Sequence, residues 1–267
     1  MENRSRLAQR GIVLLAVGAL MVASLILTPS AFANHPVLVE GEKDFDGDGL
    51  IGADEDTDGD RIFGSINTGL ADANNNGRVT IVTSGRFVET VLITAANGIT
   101  ILEAAPGVTA IVEAVMPGDS NNASRESQPG IIISSNGNFP VEIRNIVVRN
   151  WTVGIQVTGN SRVTIDNCKI DSNVNFGIHV SDIASVLIND TEVNSSGFRR
   201  SGALGVLPPT PGIGIAYEGA SQGAVTLTTV AYSAAAGISN TSSGEVQLAG
   251  NTVFGNNPDL VGFDPAP

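Results

Sequence analysis

An all-β solenoid of stacked parallel coils is the fold this sequence predicts, on three observations. From residue 136 onward the chain matches itself about every 22 residues, a period that marks repeat architectures. Within each unit, apolar and polar residues alternate. In PVEIRNIVVRNWTVGIQV (140–157), Val141, Ile143, Ile146 and Val148 face one way, with Glu142, Arg144, Val147 and Arg149 between them. Aromatic residues make up only 4%, so the interior is narrow and filled by Ile, Val, Leu and Ala. No coil buries its apolar side alone, and stacked neighbours supply the missing cover.

At the N-terminus, MENRSRLAQR sets Arg4, Arg6 and Arg10 against Glu2, and the apolar run GIVLLAVGALMVASLIL follows. Ala31-Phe32-Ala33 supplies a small-x-small cleavage site. The pattern predicts a secretory signal over residues 1–33 and a mature protein outside the cytoplasm with no membrane span. The remaining 234 residues hold 26 acids and 11 bases, a net charge of −15. Such a surface repels nucleic acid and anionic lipid, which removes both as expected partners. It repels polyuronates as well, unless a cation bridges them. A lone cysteine, Cys168, leaves no intramolecular disulfide framework.

Residues 34–64 form an acidic segment whose densest stretch is DFDGDGLIGADEDTDGD (44–60). Counted from Asp44, carboxylates stand at positions 1, 3 and 5 as Asp44, Asp46 and Asp48. Gly49 follows at 6, Leu50 at 7, Ile51 at 8 and Glu55 at 12. This spacing suits a calcium ion. The three carboxylates wrap one side, Gly49 permits the sharp turn, the Leu50 carbonyl adds a main-chain oxygen, and Glu55 closes the shell. A second, partial loop overlaps it at Asp54, Asp56, Asp58 and Asp60, but its twelfth position is Ser65. The first loop resembles those of EF-hands and dockerins, and the pair resembles the tandem loops of thrombospondin type 3 repeats. No amphipathic helix flanks the run, so the expectation is a Ca2+-dependent structural clip and not a sensor.

The coil is predicted over residues 65–260. It begins with a short helix in SINTGLADANN (65–75), where Ile66, Leu70 and Ala73 share a face and Ser65 is the N-cap. Such a helix closes the open end of a β-solenoid. Ile143, Ile165, Ile188, Leu227 and Leu248 are placed in one inward column. Asn145, Asn150, Asn167, Asn173, Asn194 and Asn251 are read as turn or stacked-amide residues. SSGFRRSGALGVLPPTPG (195–212) interrupts the repeat. The tail, residues 261–267, follows a last stretch whose Leu260 and Phe263 are expected to cover the far end.

VTIDNCKIDSNVNFGIHV and VEIRNIVVRNWTVGIQV resemble rungs of the right-handed parallel β-helix of the pectin-lyase-like superfamily. GRVTIVTSGRFVETVLITAANGITILEAAPGVTAIVEAV (77–115) resembles that superfamily's opening coils, where a strand, a Gly turn and an aromatic-x-Glu precede the next strand. The likeness covers residues 61–260 and extends to uncharacterised secreted bacterial β-helix proteins. It implies about seven or eight coils. It also implies the chemistry the superfamily uses: calcium on surface carboxylates with an Arg or Lys base in polysaccharide lyases, or clustered Asp with His in hydrolases and epimerases.

Stacking the coils tests for such clusters. Arg144 falls beside Asp166, Arg149 beside Asp171, Lys169 beside Glu192 and Gln156 beside His179. These columns alternate in sign, which is how adjacent strands neutralise one another. Three carboxylates never meet in one column, and His179 reads as a surface residue. Cys168 falls inward with Ile146 and Thr191, as a buried small residue and not a nucleophile. In the insertion, Arg199 and Arg200 are the candidate contacts for an acidic extracellular polysaccharide; the bland alternative is a loop packed down by Phe198 and Leu207. Trp151, Tyr217 and Tyr232 are too few for a strong sugar-stacking face. The balance favours a non-catalytic, secreted, calcium-binding protein, structural or carbohydrate-interacting at the cell exterior. The alternative is a polysaccharide lyase or related glycan-active enzyme.

Overall fold

Alternating apolar residues bury themselves only if each short strand finds a parallel neighbour one coil away, and the chain does this three times per coil. The computed structural model describes residues 37–39, 62–63, 65–73, 77–95, 98–114, 128–194, 196–197 and 212–263. The predicted signal (1–33), the acidic run and Arg199–Arg200 therefore lie outside the described residues. Sheet 1 contains β1 (Val37–Val39), β2 (Ile62–Phe63), β3 (Gly77–Ile81), β6 (Thr100–Ala104), β9 (Pro140–Arg144), β12 (Arg162–Asp166), β15 (Ser185–Asn189), β18 (Gln222–Thr226) and β21 (Val246–Ala249). Sheet 2 contains β4 (Gly85–Phe87), β7 (Ala110–Glu113), β10 (Ile146–Arg149), β13 (Lys169–Asp171), β16 (Glu192–Asn194), β19 (Thr229–Ala231) and β22 (Thr252–Phe254). Sheet 3 contains β5 (Val91–Ile93), β8 (Pro129–Ser135), β11 (Val153–Gly159), β14 (Phe176–Val180), β17 (Ile213–Tyr217), β20 (Ile238–Asn240) and β23 (Leu260–Val261). From β3 on, each coil contributes one strand to each sheet in turn, which makes seven coils.

Sheet 1 starts earlier than the sequence reading has it. β1 pairs in parallel with β3, and β2 lies outside β1 in the order β2-β1-β3. The helix α1 (Ile66–Asp72) follows, with Ser65 as N-cap accepting from the Thr68 N–H at 3.4 Å, as the sequence predicts. Ile66, Leu70 and Ala73 are buried. A seven-residue helix does not persist alone in water, so this packing holds it. Among the described residues, no helix is long and apolar enough to cross a membrane.

Inward columns run the length of the coil. Ile143, Ile165 and Ile188 align, followed by Val225 and Leu248. Ile155, Ile178, Ile215 and Ile238 form a second column with no exposed surface. Each buried aliphatic side chain contributes about 1.5–3 kcal/mol. The column placement of Leu227 is corrected: Val225 holds that position, and Leu227 is 64% exposed. Both lie two residues apart in AVTLTTV, so alternation alone puts them on one face. Leu227, however, is the turn residue (φ 50°), and the turn reverses its direction.

That turn is the same in coil after coil. A single left-handed residue joins sheet 1 to sheet 2: Asn145 (φ 60°), Asn167 (φ 49°), Asp190 (φ 44°), Leu227, then Gly250 (φ 66°). Asn suits it because a short polar side chain tolerates this backbone and bonds locally. Asn167 Nδ2 donates to Asn145 Oδ1 at 2.8 Å, and Asn145 Nδ2 to the Ala104 carbonyl at 3.2 Å. Asn150 (φ 64°) serves the next corner. Asn173 and Asn251 instead accept from the main-chain N–H of Trp151 and Thr228, at 3.0 and 2.9 Å. Asn194 is no turn residue; it ends β16.

In sheet 3 the rungs approach so closely that one position is glycine in five successive coils, at Gly130, Gly154, Gly177, Gly214 and Gly237. A Cβ on Gly177 would lie 2.6 Å from the Gly214 carbonyl oxygen and 2.5 Å from Val193 Cγ1. Gly154, Gly214 and Gly237 face similar carbonyls one coil further on. A backbone oxygen held by a ladder cannot step aside. Gly177→Ala is expected to lower the unfolding free energy by about 1–3 kcal/mol, read as a fall in urea midpoint with unchanged slope.

Candidate functional site

The repeat is interrupted twice at the same corner, between sheets 2 and 3: once between Gly197 and Gly212, after β16, and once between Ala114 and Gln128, between β7 and β8. Coils 3 and 4, carrying β11 and β14, lie between them. The sequence reading identifies only the first. The second was legible in spacing: Thr100 pairs with Val141, 41 residues on, where Val141 pairs with Val163 after 22. The feet of the later insertion touch: a Cβ on Gly197 (φ 91°) would lie 2.7 Å from the Gly212 Cα. The rung thus continues as if the 14 residues 198–211 were absent, which suits a loop grafted on a rigid wall.

The outward face of sheet 3 beside this corner carries Gln156, His179 and Ala216 in one column. His179 is less a surface residue than the sequence suggests, with its side chain 17% exposed. Its ring stacks on Phe176, centroids 4.5 Å apart and planes 12° off parallel. Its Nε2 lies 3.0 Å from Glu218 Oε2. The pairing went unread because Glu218 follows the insertion. Extending the repeat across that gap sets Tyr217 beside Val180, and Glu218 one residue further on.

On sheet 2 the carboxylate of Glu113 is 2% exposed and held by two guanidinium groups. Arg86 Nε stands 2.8 Å from Oε2 and Arg149 Nε 3.0 Å from Oε1. Asn150 Nδ2 also donates to Oε1. The predicted neighbours Arg149–Asp171 and Arg144–Asp166 do align, but their ion pairs go elsewhere. Arg149 turns back to Glu113, and Arg144 pairs with Glu142 on its own strand. Asp166 accepts from Asn189 Nδ2 at 2.7 Å. Lys169 and Glu192 pair as predicted, at 3.2 Å.

Cys168 lies inward, as expected, its Sγ 3.3 Å from the Asp166 carbonyl. Burial pushes its thiol up to about 12, so it is an inert core residue. Trp151 and Tyr217 are also core: Trp151 Nε1 donates to the Val112 carbonyl at 3.1 Å, and the Tyr217 hydroxyl to the Val186 carbonyl at 3.3 Å. Among the described residues no group of three or more His, Cys, Asp or Glu side chains converges. The calcium-loop residues Asp44, Asp46, Asp48, Leu50 and Glu55, and the partial loop Asp54 to Asp60, are not among them.

Parallel β-strands wound into a three-sheet coil define the class, a parallel β-helix. The chain belongs to the right-handed β-helix region family, whose profile matches residues 85–257. Neither curated proteins nor solved structures yield a match.

One carboxylate at the N-terminal end ties the helix to the coil. Glu89, the acid of the aromatic-x-Glu phrase, accepts from the Ile66 and Asn67 N–H groups at 2.7 and 3.1 Å. It also accepts from Ser65 Oγ at 2.9 Å. Burial raises its pKa above the ordinary 4.5, with these hydrogen bonds opposing. The folded state therefore holds this proton more tightly than the unfolded chain. That contribution to stability is complete below pH 4.5 and declines as pH rises through the folded value. Glu89→Ala is expected to cost about 1–3 kcal/mol by orphaning its donors. Glu89→Gln lacks the titration, so thermal melts should show it gaining on the wild type as pH rises from 4 to 7.

Proposed function

We propose that this protein is a non-catalytic β-helix of the cell exterior, ordered by calcium at its N-terminal entry and structural or carbohydrate-interacting in role. The observation that carries the reading is the use made of outward charge. Glu103 is engaged by Arg78, Glu113 by Arg86 and Arg149, Glu142 by Arg144, and Glu192 by Lys169. Carboxylates spent on wall neighbours are not poised for acid–base work on a substrate, which needs a free lone pair within hydrogen-bond reach.

Calcium is supported by the twelve-position loop and by what brackets it. Twenty-two residues, 40–61, separate β1 from β2, and the two strands pair side by side. An acidic segment tethered at both ends to strands that lie about 4.8 Å apart repels itself unless a cation neutralises it. Asp44, Asp46, Asp48, Glu55 and the Leu50 carbonyl would hold the ion, with affinity on the order of 10⁻⁴–10⁻³ M for an extracellular module.

A second reading, a glycan-active enzyme, is favoured by one feature only, the Phe176–His179–Glu218 group beside the corner from which the Arg199–Arg200 loop departs. A carboxylate-oriented imidazole is a common general base.

Millimolar calcium is expected to raise the melting temperature, and Asp44→Asn with Glu55→Gln to abolish the increase. Calorimetry then counts one ion, or two if the partial loop also fills; no binding and no effect of chelator would sink the clip. Incubation with acidic polysaccharides and calcium should release no unsaturated product in the ultraviolet. Release that is lost in His179→Ala would replace the non-catalytic reading with the enzymatic one. Weakened glycan retention in Arg199→Ala/Arg200→Ala would assign the loop as the sugar contact, and unchanged retention would reject it.

A further inference from the structure

The two ends of the coil are finished differently. At the N-terminal end, inward residues of the first coil are sealed: Phe87 and Val91 are 0% exposed and Ile93 1%. α1 and β1 pack there, with Leu70 and Val39 fully covered. At the C-terminal end the last inward residues, Val246, Leu248 and Val253, are only partly buried, and Leu260 is 43% exposed. One coil earlier, Val225, Val230 and Ile238 have no exposed surface. Of the two residues expected to cover this end, Leu260 is part of β23, the last rung of sheet 3, and Phe263, partly buried, packs against the core. Among the described residues β21, β22 and β23 each pair on one side only, so each sheet ends there in an unpaired edge.

The rim of this end is apolar as well. Leu227 and Tyr232 (55% exposed) occupy left-handed turn positions that Asn145, Asn167, Asn150 and Ser172 hold in earlier coils. A bulky side chain is disfavoured at such a position. Both lean over the last coil. A Cβ on Gly250 would meet Leu227 Cδ2 at 3.0 Å, and one on Gly255 would meet Tyr232 Cδ1 at 2.9 Å. Tyr232 packs edge-on against Phe254, itself 41% exposed, with centroids 5.3 Å apart. Strain kept to hold apolar groups in water points to a covering partner.

We propose that the C-terminal end docks on the same end of a second copy, forming an isologous tail-to-tail dimer. What fits three parallel edges around a narrow apolar core is another coil end of the same cross-section, and this chain's other end is closed by α1. That closure also stops head-to-tail growth, so the contact is self-limiting. A coil of about 22 residues at ~3.3 Å each presents, with its side chains, an end face of order 600 Å². Two such faces bury roughly 1,200 Å², the lower limit for a specific interface. The dimer is therefore weak, with a dissociation constant in the micromolar range. From residue 201 to 267 the chain holds no Lys or Arg, while Glu245 and Asp259 lie in the last coil. Apolar contact between like-charged ends tightens as salt screens the repulsion.

Sedimentation equilibrium on the full chain from about 1 to 100 μM tests this. The expected result is a rise from one chain mass to two, shifted to lower concentration by added salt. Leu248→Asp should abolish the rise. Because that change can unfold the last coil, the double variant Leu227→Asn, Tyr232→Asn is the decisive one. Asn suits the left-handed turns, so its melting temperature should hold or increase while the dissociation constant rises at least tenfold. A monomer throughout the range, loss of dimer with salt, or a dimer indifferent to the double variant each overturns the proposal.

Discussion

From the third coil on, a rung of this protein turns from sheet 1 to sheet 2 on one residue, and it can do so only if that residue takes a left-handed backbone. The rest of the coil depends on this corner. Because one residue and no more makes the turn, Ile143 and Ile146 both point inward although they are three apart in sequence. The corner recurs at φ 60°, 49° and 44° in Asn145, Asn167 and Asp190, so successive rungs keep register. Kept register in turn stacks isoleucine on isoleucine, carbonyl on glycine and amide on amide. A bulky residue at this corner works against the geometry, and Leu227 does so where the coil runs out.

The outer wall is governed by proximity between rungs. Adjacent strands lie about 4.8 Å apart, so long charged side chains reach more than one neighbour. Arg149 chooses Glu113 over the aligned Asp171 because Glu113 is shielded from water and already shares Arg86 and Asn150. A shielded carboxylate with several donors competes better than an exposed one with a single partner. The wall is thereby neutralised locally, and the strong acidity of the chain is concentrated in the segment between β1 and β2.

A break in the repeat can carry a segment of independent sequence, since the rungs themselves are committed to packing. The repeat is broken twice at the sheet 2–sheet 3 corner; the stacked Phe176–His179 pair lies on a rung between the two breaks, and a carboxylate from the coil beyond reaches that imidazole. The N-terminal entry has its own devices: β1 and β2 added to sheet 1, α1 over the core, and Glu89 joining helix to coil through three hydrogen bonds. Among the described residues no comparable set closes the far end.

Periodicity and alternation by themselves determined the coil class, the inward columns of the middle rungs, the Ser65 cap and the inert placement of Cys168. These are local rules that repeat, so one sequence reads them many times over. The twelve-position acidic spacing is likewise read along the chain alone, since it lies outside the described residues. Only the tertiary structure decided what depends on which rung lies next. It paired Glu218 with His179, Arg149 with Glu113 and Glu89 with α1, turned Leu227 outward, and left the last coil half bare. In each case the partners are separated by an insertion, a corner or a full rung, and sequence distance carries no information about them until the register is known.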